Sequence, residues 1–485
     1  MNYRMVVFVL GRIFLVEAAM MLLPMACSAI YGEWYMLPAF LLPAVILLLL
    51  GLAASLRTPK NTTIYARDGL AIVALVWVLM SAFGALPFVI SGEIPAFADA
   101  FFEMVSGFTT TGSTILNDVE ALSHGALFWR SFSHWVGGMG VLVFAMAVLP
   151  MTDGRAMHLM RAEVPGPTCG KLSSKLSDSA KILYGIYFAM TALEVVFLCA
   201  GGMSLYESLI HSFGTAGTGG FSNRGLSIGA YQNPYFEWVI GIFMLLFGVN
   251  FNLYYFILMR HFREAFGSEE LRAYLGIVLF STVTIAANIL SMVGSVGEAV
   301  RTAFFQVSSI ITTTGYATAD FNLWPTYSRI LLLVLMFVGG CAGSTAGGLK
   351  MSRVIIVFKA ARQDLNKMLH THAVTTIRFE GKPLDEKTLQ GVHNYFNVYM
   401  LLIMLSTVLV SLDGFDLTTT FSAVITCINN VGPGMELVGP MGNFSQFSAP
   451  VKYLLSFDML AGRLELYPML AMFAPRLWRR RRTMR

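Results

Sequence analysis

Charged side chains are scarce in this 485-residue sequence. Lys, Arg, Asp and Glu together make up 13% of it, while 56% of the residues are hydrophobic and the mean hydropathy is +0.66. Soluble globular proteins carry roughly 25% charged residues. The composition therefore excludes an ordinary soluble protein and predicts that most of the chain faces lipid or other apolar helices.

Cysteine is also rare. The five cysteines are Cys27, Cys169, Cys199, Cys341 and Cys427, and none of them has a neighbour at CxxC or zinc-ligand spacing. We expect small buried side chains and no disulfide framework. A nucleophile–base pair or a metal cluster is equally missing from the pattern, so a membrane-embedded enzyme is disfavoured and no organic cofactor is expected. His134 and His211 are interpreted as hydrogen-bonded packing residues.

Apolar runs long enough to cross a bilayer core of about 30 Å recur along the chain. Ten predicted spans lie at about 5–28, 37–56, 70–90, 126–150, 181–203, 235–260, 271–296, 327–358, 393–412 and 450–475. Four shorter semi-polar segments, near 98–116, 206–224, 300–318 and 416–434, each fall between two spans. The first run contains Arg12 and Glu17 and is longer than a usual signal-peptide core, so we expect it to be retained as half of a helical hairpin.

The distribution of basic residues predicts the orientation. The connections at 57–69, 151–181, 260–272 and 353–390 and the tail at 476–485 are rich in Lys and Arg. The positive-inside rule places these connections and both termini in the cytoplasm. All four short segments then enter from the outer face. The basic tail is expected to contact anionic lipid, and no nucleic-acid partner is expected.

The short segments form an internal repeat. FFEMVSGFTTTG at 101–112 and FFQVSSIITTTG at 304–315 are identical at seven of twelve positions. The other two segments contain TGGF at 218–221 and NVGP at 430–433. A repeat of this kind indicates a repeated structural unit, here a span, a half-helix, a glycine-containing turn and a second span. Four copies in one chain predict a pseudo-fourfold ring.

Glycine at each turn suggests cation conduction. Backbone carbonyls at membrane depth are tolerated only where they face water or an ion, and turning them toward an axis favours glycine. Rings of carbonyls replace the hydration shell of potassium in selectivity filters, and the partly negative helix C-terminus also favours a cation. Glu103 and Gln306 occupy equivalent places on two half-helices. They either anchor those helices, which we favour, or attract cations.

These patterns together predict an all-α polytopic membrane protein with four pseudo-symmetric helix–pore loop–helix repeats. An N-terminal hairpin is expected at 1–60, and the repeats are expected at 61–165, 166–268, 269–375 and 376–485. The second helix of the third repeat is expected to be broken, and the fourth repeat includes the basic cytoplasmic tail.

Five motifs resemble the TrkH/TrkG/KtrB superfamily of potassium transporters, and within it the TrkH-type members. They are SGFTTTG ending at Gly112, WVGGMGV at 135–141, TTTGYATADFNLWP at 312–325, NNVGPG at 429–434 and GRLELYP at 462–468. The resemblance implies a filter with one glycine position per repeat. Glycine rather than serine at Gly112 implies potassium preference. The expected filter residues are Thr110, Thr111, Gly112, Thr218, Gly219, Gly220, Thr313, Thr314, Gly315, Asn430, Val431 and Gly432.

The eighth span contains the run GGCAGSTAGG at 339–348. Glycine weakens a helix by about 1 kcal/mol per residue relative to alanine, so the run could be a helix break that forms a gate. Gly339, Gly343 and Gly347 also have GxxxG spacing, which would suit a helix-packing face. The resemblance favours the gate, with candidate residues Gly339, Gly340, Gly343, Gly347, Gly348 and Lys350. The segment at 343–350 is not a Walker A motif, because Leu349 stands where the motif has lysine.

Arg463 lies inside the last predicted span, where a charge is costly and usually functional. The resemblance implies that it faces the cavity beneath the filter, and a structural salt bridge is the alternative. The expected function is potassium transport across the bacterial inner membrane through a gated, channel-like pore, with K⁺ as the transported ion. The alternative is a potassium symporter coupled to Na⁺ or H⁺. The resemblance also implies a homodimer and cytosolic nucleotide-binding TrkA-type subunits that contact 151–181 and 353–390.

Overall fold

The computed structural model describes residues 1–61, 64–140, 176–370 and 376–478. Twenty α-helices are described in these ranges, and they are numbered here in chain order. They are α1 Tyr3–Met20, α2 Leu22–Ile30, α3 Leu37–Ser55, α4 Ala66–Ser91, α5 Phe97–Phe108, α6 His124–Gly138, α7 Leu176–Ala200, α8 Leu205–Gly217, α9 Pro234–Phe247, α10 Phe251–Leu258, α11 Phe262–Gly267, α12 Glu269–Val293, α13 Val296–Ile311, α14 Thr326–Val338, α15 Met351–Leu369, α16 Glu386–Val410, α17 Leu417–Asn429, α18 Ala449–Arg463, α19 Tyr467–Met472 and α20 Pro475–Trp478.

The remaining regular structure consists of short elements. Five 3₁₀ turns lie at Trp34–Met36, Ser227–Tyr231, Phe321–Leu323, Ser411–Asp413 and Glu436–Val438. The described strands are β1 (Arg378–Phe379) and β2 (Lys382–Pro383), which pair antiparallel with Phe379 opposite Lys382. The helices and this one small hairpin confirm the predicted all-α class.

Six described helical segments are long and apolar enough to cross a membrane, or seven if a bent pair counts as one. They include the predicted N-terminal hairpin, formed by α1–α2 and α3. Gly11 and Gly51 allow these two helices to approach closely, because a Cβ on Gly51 would lie 2.8 Å from the carbonyl oxygen of Gly11. Both predicted spans of the hairpin are therefore present as helices.

Two predicted single spans are wrong in detail. The 235–260 segment is divided into α9 and α10, which meet at 92°. Gly248 and Asn250 lie at the bend, and Asn250 caps α10 by accepting from the amide of Asn252. The 450–475 segment is divided into α18, α19 and the start of α20. The break between α18 and α19 lies at Glu465 and Leu466, which adopt positive φ angles of 62° and 63°.

Two other spans differ from a continuous helix. The predicted 327–358 span is interrupted between Val338 and Met351, where the glycine-rich run lies. Of the predicted 126–150 span, α6 covers the part up to Gly138, and 141–150 lies outside the described residues. The predicted partner contact at 151–181 lies mostly outside them as well.

The four short segments form the buried helices α5, α8, α13 and α17. The residues in their last two turns are almost completely buried. Longer helices surround them, so their C-terminal ends meet in the interior of the molecule. The two ends of the described chain also lie together, because the Tyr3 hydroxyl donates to the carbonyl of Trp478. Cys27, Cys199, Cys341 and Cys427 are all free thiols.

Candidate functional site

The four short helices end in the same backbone conformation. Thr110, Thr218, Thr313 and Asn430 have φ between 55° and 57°, which is the left-handed region. In each case the amide of the next residue donates to the carbonyl five residues back, at 2.8–2.9 Å. This pattern is a Schellman cap. The four ends are therefore equivalent in geometry although their sequences are TTG, TGG, TTG and NVG.

A glycine with positive φ follows each cap. The φ angles are 84° at Gly112, 75° at Gly220, 85° at Gly315 and 101° at Gly432. In the second loop, Gly219 occupies the position of Thr111 and Thr314, and Gly220 occupies the position of the other three glycines. The backbone thus identifies Gly220, rather than its neighbour Gly219, as the equivalent glycine.

The four glycines close a ring in chain order. A Cβ on Gly112 would lie 2.0 Å from the carbonyl oxygen of Gly219, and one on Gly220 would lie 2.0 Å from that of Thr314. A Cβ on Gly315 would lie 2.3 Å from the Val431 carbonyl oxygen, and one on Gly432 would lie 2.8 Å from that of Thr111. Each loop therefore contacts the next through its backbone, and the fourth contacts the first. Only glycine fits at these approaches.

Side chains also join the first and fourth loops. The Asn430 amide donates to Thr111 Oγ1 at 2.9 Å, and the Ser113 hydroxyl donates to the carbonyl of Gly432 at 3.0 Å. A cavity of about 130 Å³ lies against all four glycines of the ring. The C-termini of the four short helices lie immediately before the glycines of the ring, so their partial negative charges favour a cation at the ring.

Three of the four loops, the first, third and fourth, are tied back to their own short helix by a residue that follows the glycine. Glu103 accepts from the amide of Ile115 at 3.0 Å. The side-chain amide oxygen of Gln306 accepts from the backbone amide of Thr318 at 2.9 Å. In the fourth loop Ser422 accepts from the amide of Met435 at 2.9 Å. These contacts give Glu103 and Gln306 the anchoring role that was favoured from sequence.

Sequence reasoning missed the partner of Glu103. Arg130 of α6 donates through Nε at 2.8 Å and Nη2 at 2.7 Å to Glu103 Oε1. Both side chains are almost completely buried, at 2% and 0% exposure. The Arg130 guanidinium also stacks on the Phe221 ring, 4.0 Å from its centroid. The signal was a single arginine within the apolar 126–150 segment, which only its spatial partner makes interpretable.

The histidines lie in packing positions, as predicted. His134 Nδ1 lies within hydrogen-bond distance of the carbonyl of Gly107, at 2.7 Å. His134 Nε2 accepts from the amide of Phe221 at 3.2 Å. His134 therefore joins the first and second loops. His211 Nε2 lies 3.0 Å from the Tyr231 hydroxyl. Among the described residues, no group of three or more His, Cys, Asp or Glu side chains could hold a metal ion.

The glycine-rich loop at residues 339–350 was predicted to form a gate and is called the gate loop. It lies directly against the loops that follow the third and fourth short helices. The amide of Gly347 donates to Thr313 Oγ1 at 2.6 Å, and the amide of Gly348 donates to the carbonyl of Asn429 at 3.0 Å. The glycines at 339, 343 and 347 are not helical, so they do not form a GxxxG helix face. Lys350 is buried with φ 75° and donates to the carbonyl of Ala346.

The bend between α9 and α10 supports the same loop. The amide of Cys341 donates to the carbonyl of Gly248 at 3.0 Å, and the amide of Phe251 donates to the carbonyl of Gly343 at 3.0 Å. The bend and the gate loop thus share backbone hydrogen bonds. This explains why an apolar segment with no proline is broken at Gly248–Asn250.

Arg463 contacts carbonyls of two other elements. Its guanidinium donates to Gly137 at 2.5 Å and Gly138 at 2.6 Å, at the end of α6, and to Thr345 of the gate loop at 2.7 Å. The residue is 8% exposed. The nearby carboxylate of Glu465 pairs with Arg353. A positive charge therefore lies beside the gate loop and against the negative end of a helix.

The family model described as TrkH, cation transport protein, matches residues 37–480. The chain belongs to this TrkH family. It is 34% identical to the Trk system potassium uptake protein TrkH of Escherichia coli (strain K12) over 489 residues, which cover 99% of this chain and 100% of the relative. It is 33% identical to the Trk system potassium uptake protein TrkG of the same organism, with 99% of both chains covered.

A solved structure gives the same result. The crystal structure of the potassium transporter TrkH from Vibrio parahaemolyticus superposes with a TM-score of 0.88 and 30% sequence identity, covering 99% of this chain and 100% of that chain. The TrkH-type fold predicted from the five motifs is confirmed. The TrkH family consists of membrane transport proteins, so this chain is a transport protein and not an enzyme.

Proposed function

We propose that the chain conducts K⁺ across the bacterial inner membrane through a gated, channel-like pore. The relatives at 34% and 33% identity are named as potassium uptake proteins. The observation that carries the proposal is the ring in which Gly112, Gly220, Gly315 and Gly432 each abut a carbonyl of the next loop. A ring of backbone carbonyls can replace the hydration shell of a potassium ion.

The selectivity filter comprises the last residues of the four caps and the glycines. These are Thr110, Thr111 and Gly112, Thr218, Gly219 and Gly220, Thr313, Thr314 and Gly315, and Asn430, Val431 and Gly432. Their common cap geometry supports a nearly fourfold arrangement of carbonyls. The hydrogen bonds of Glu103, Gln306 and Ser422 stiffen the loops, so the ring resists collapse around a smaller ion.

The gate is the glycine-rich loop that rests against Thr313 and Asn429. Its glycines Gly339, Gly340, Gly343, Gly347 and Gly348 give it an irregular backbone, and Lys350 ends it. Displacement of the loop from the filter would break its hydrogen bonds to Thr313 and to the carbonyl of Asn429, each worth about 0.5–1.5 kcal/mol. Arg463 adds a positive charge beside the same loop, which opposes cation passage while the loop is in place.

Regulation comes from other chains in this proposal. The chain functions as a homodimer in the inner membrane, with both termini cytoplasmic and with cytosolic nucleotide-binding subunits of the TrkA type on the basic face. The curated relatives are named as parts of a Trk system. The described part of the basic face includes α15 and the β1–β2 hairpin, which would offer the contact surface.

The test is potassium and sodium flux in liposomes that contain the purified protein. Wild type is compared with Gly112→Ser and with the control Gly276→Ser, because a Cβ at Gly276 would have no neighbour within 4 Å. We expect wild type and the control to prefer K⁺ over Na⁺ and Gly112→Ser to lose that preference. An unchanged preference in Gly112→Ser would overturn the filter assignment. K⁺ uptake that requires a Na⁺ or H⁺ gradient would contradict the channel mechanism and support a symporter.

A further inference from the structure

A buried carboxylate joins the two ends of the gate loop. Glu270, in the first turn of α12, is 5% exposed. Its Oε1 accepts from the amide of Ala342 at 2.8 Å and from the amide of Ser352 at 2.9 Å. Ala342 lies near the start of the gate loop, and Ser352 lies just after its end. One oxygen atom of α12 therefore fixes the distance between the two ends of the loop.

A second carboxylate fixes the position of Glu270 itself. Glu380 accepts from the amide of Glu270 at 3.0 Å and from the amide of Glu269 at 3.2 Å. It also accepts from the hydroxyl of Ser268, the residue that caps α12, at 2.8 Å. A carboxylate that accepts from several N-terminal amides binds a helix end firmly. The amides and carboxylates thus form a continuous chain from Glu380 to the gate loop.

Glu380 lies at the exposed tip of the β1–β2 hairpin. Glu380 and Gly381 both have positive φ, 50° and 73°, as a type I′ turn requires. Phe379 of the same hairpin is buried with Ile356 of α15 and Val392 of α16. Lys359 of α15 donates to the carbonyl of Arg378 at 2.8 Å and pairs with Glu269. The hairpin is therefore attached to the helix that follows the gate loop as well as to α12.

We infer that Glu270 is a positioning residue for the gate loop and that the β1–β2 hairpin controls it from the membrane surface. A protein partner that binds the hairpin and withdraws Glu380 would free the first turn of α12. Glu270 would then release Ala342 and Ser352, and the loop would leave the filter. The role of the loop as the gate rests on the proposed function, whereas its attachment through Glu270 does not.

Cys341 provides a readout that does not depend on conduction. It lies within the gate loop and is 1% exposed. In full-length protein whose other four cysteines are replaced by serine, its rate of modification by a small charged methanethiosulfonate reports loop release. We expect Glu270→Ala and Glu380→Ala to raise this rate about tenfold, since each removes charge-assisted hydrogen bonds. Glu270→Gln keeps an acceptor oxygen and should remain near wild type.

The control is Glu264→Ala, which removes a carboxylate that is 63% exposed on neighbouring α11. Its Cys341 rate should equal that of wild type. Equal rates in wild type, Glu270→Ala and Glu380→Ala would overturn the inference. If Glu270→Ala does not fold, Glu380→Ala decides alone, because its side chain is at the surface. Faster labelling in protein that does not conduct K⁺ would support the attachment while contradicting the proposed function.

Discussion

The Glu103–Arg130 pair has almost no access to solvent, and its charges compensate each other within the membrane protein. Removing one member of a buried pair leaves an uncompensated charge and typically costs 3–5 kcal/mol. We expect Glu103→Gln to lower the thermal unfolding midpoint of the detergent-solubilised protein markedly. The matched control is Glu436→Gln, whose partner Arg329 is 27% exposed and whose own side chain is 47% exposed. A surface pair contributes about 0–1 kcal/mol, so equal midpoints for the two variants would contradict the prediction.

Among individual residues, the sequence predicted the filter positions at which the repeats have identical amino acids. Thr–Thr–Gly at 110–112 and 313–315 located two of the four glycines directly. The anchors differ chemically, with Glu103, Gln306 and Ser422 performing the same task, so no identity marks Ser422 as equivalent. The second loop has glycine at both 219 and 220, so only the φ angles show that Gly220 is the equivalent residue.

The contact between the gate loop and the third filter loop depends on one hydroxyl. Thr313 Oγ1 accepts from the Gly347 amide at 2.6 Å. The equivalent Thr110 hydroxyl has no hydrogen-bond partner among the described residues. We expect Thr313→Val to raise K⁺ flux in liposomes, measured without cytosolic subunits, by about 5–10-fold, since a hydrogen bond contributes about 1 kcal/mol. Thr110→Val introduces the same side chain at the same φ in the first filter loop but removes no hydrogen bond to the gate loop, so it measures the effect of the substitution on the filter alone. Similar fluxes from the two variants would contradict a gate held at Thr313.

The ends of helices could be predicted where the amino-acid composition changes along the chain. They could not be predicted where contacts with distant segments determine the helix end. The break at 339–348 was visible as five glycines in ten residues. The 92° bend between α9 and α10 was not, because FGVNF interrupts the apolar pattern by a single polar residue. Its cause is the gate loop, whose Cys341 and Gly343 bond to Gly248 and Phe251. Contacts between segments almost a hundred residues apart do not alter the local hydrophobic pattern of the sequence, so this pattern could not predict the bend.

The whole molecule has a predicted orientation that labelling can test. Leu412, at the entrance to α17, is 80% exposed, and Met368, near the end of α15, is 78% exposed. In a cysteine-free background, we expect an impermeant maleimide to label Leu412→Cys only from outside intact spheroplasts. Met368→Cys should be labelled only after the membrane is opened, because the positive-inside rule places 353–390 in the cytoplasm. The reverse result would invert the topology.

Arg463 connects three parts of the molecule, since it extends from α18 to the end of α6 and to the gate loop. A fixed positive charge beside a cation path repels the ion, and the repulsion is strong where water is scarce. We expect Arg463→Gln to raise K⁺ flux in liposomes at least several-fold. Arg463→Lys keeps the charge while losing the planar donor fork, so its flux should stay close to that of wild type if charge is decisive. If lysine and glutamine raise the flux equally, Arg463 acts by holding Gly137, Gly138 and Thr345 together, and its effect is structural.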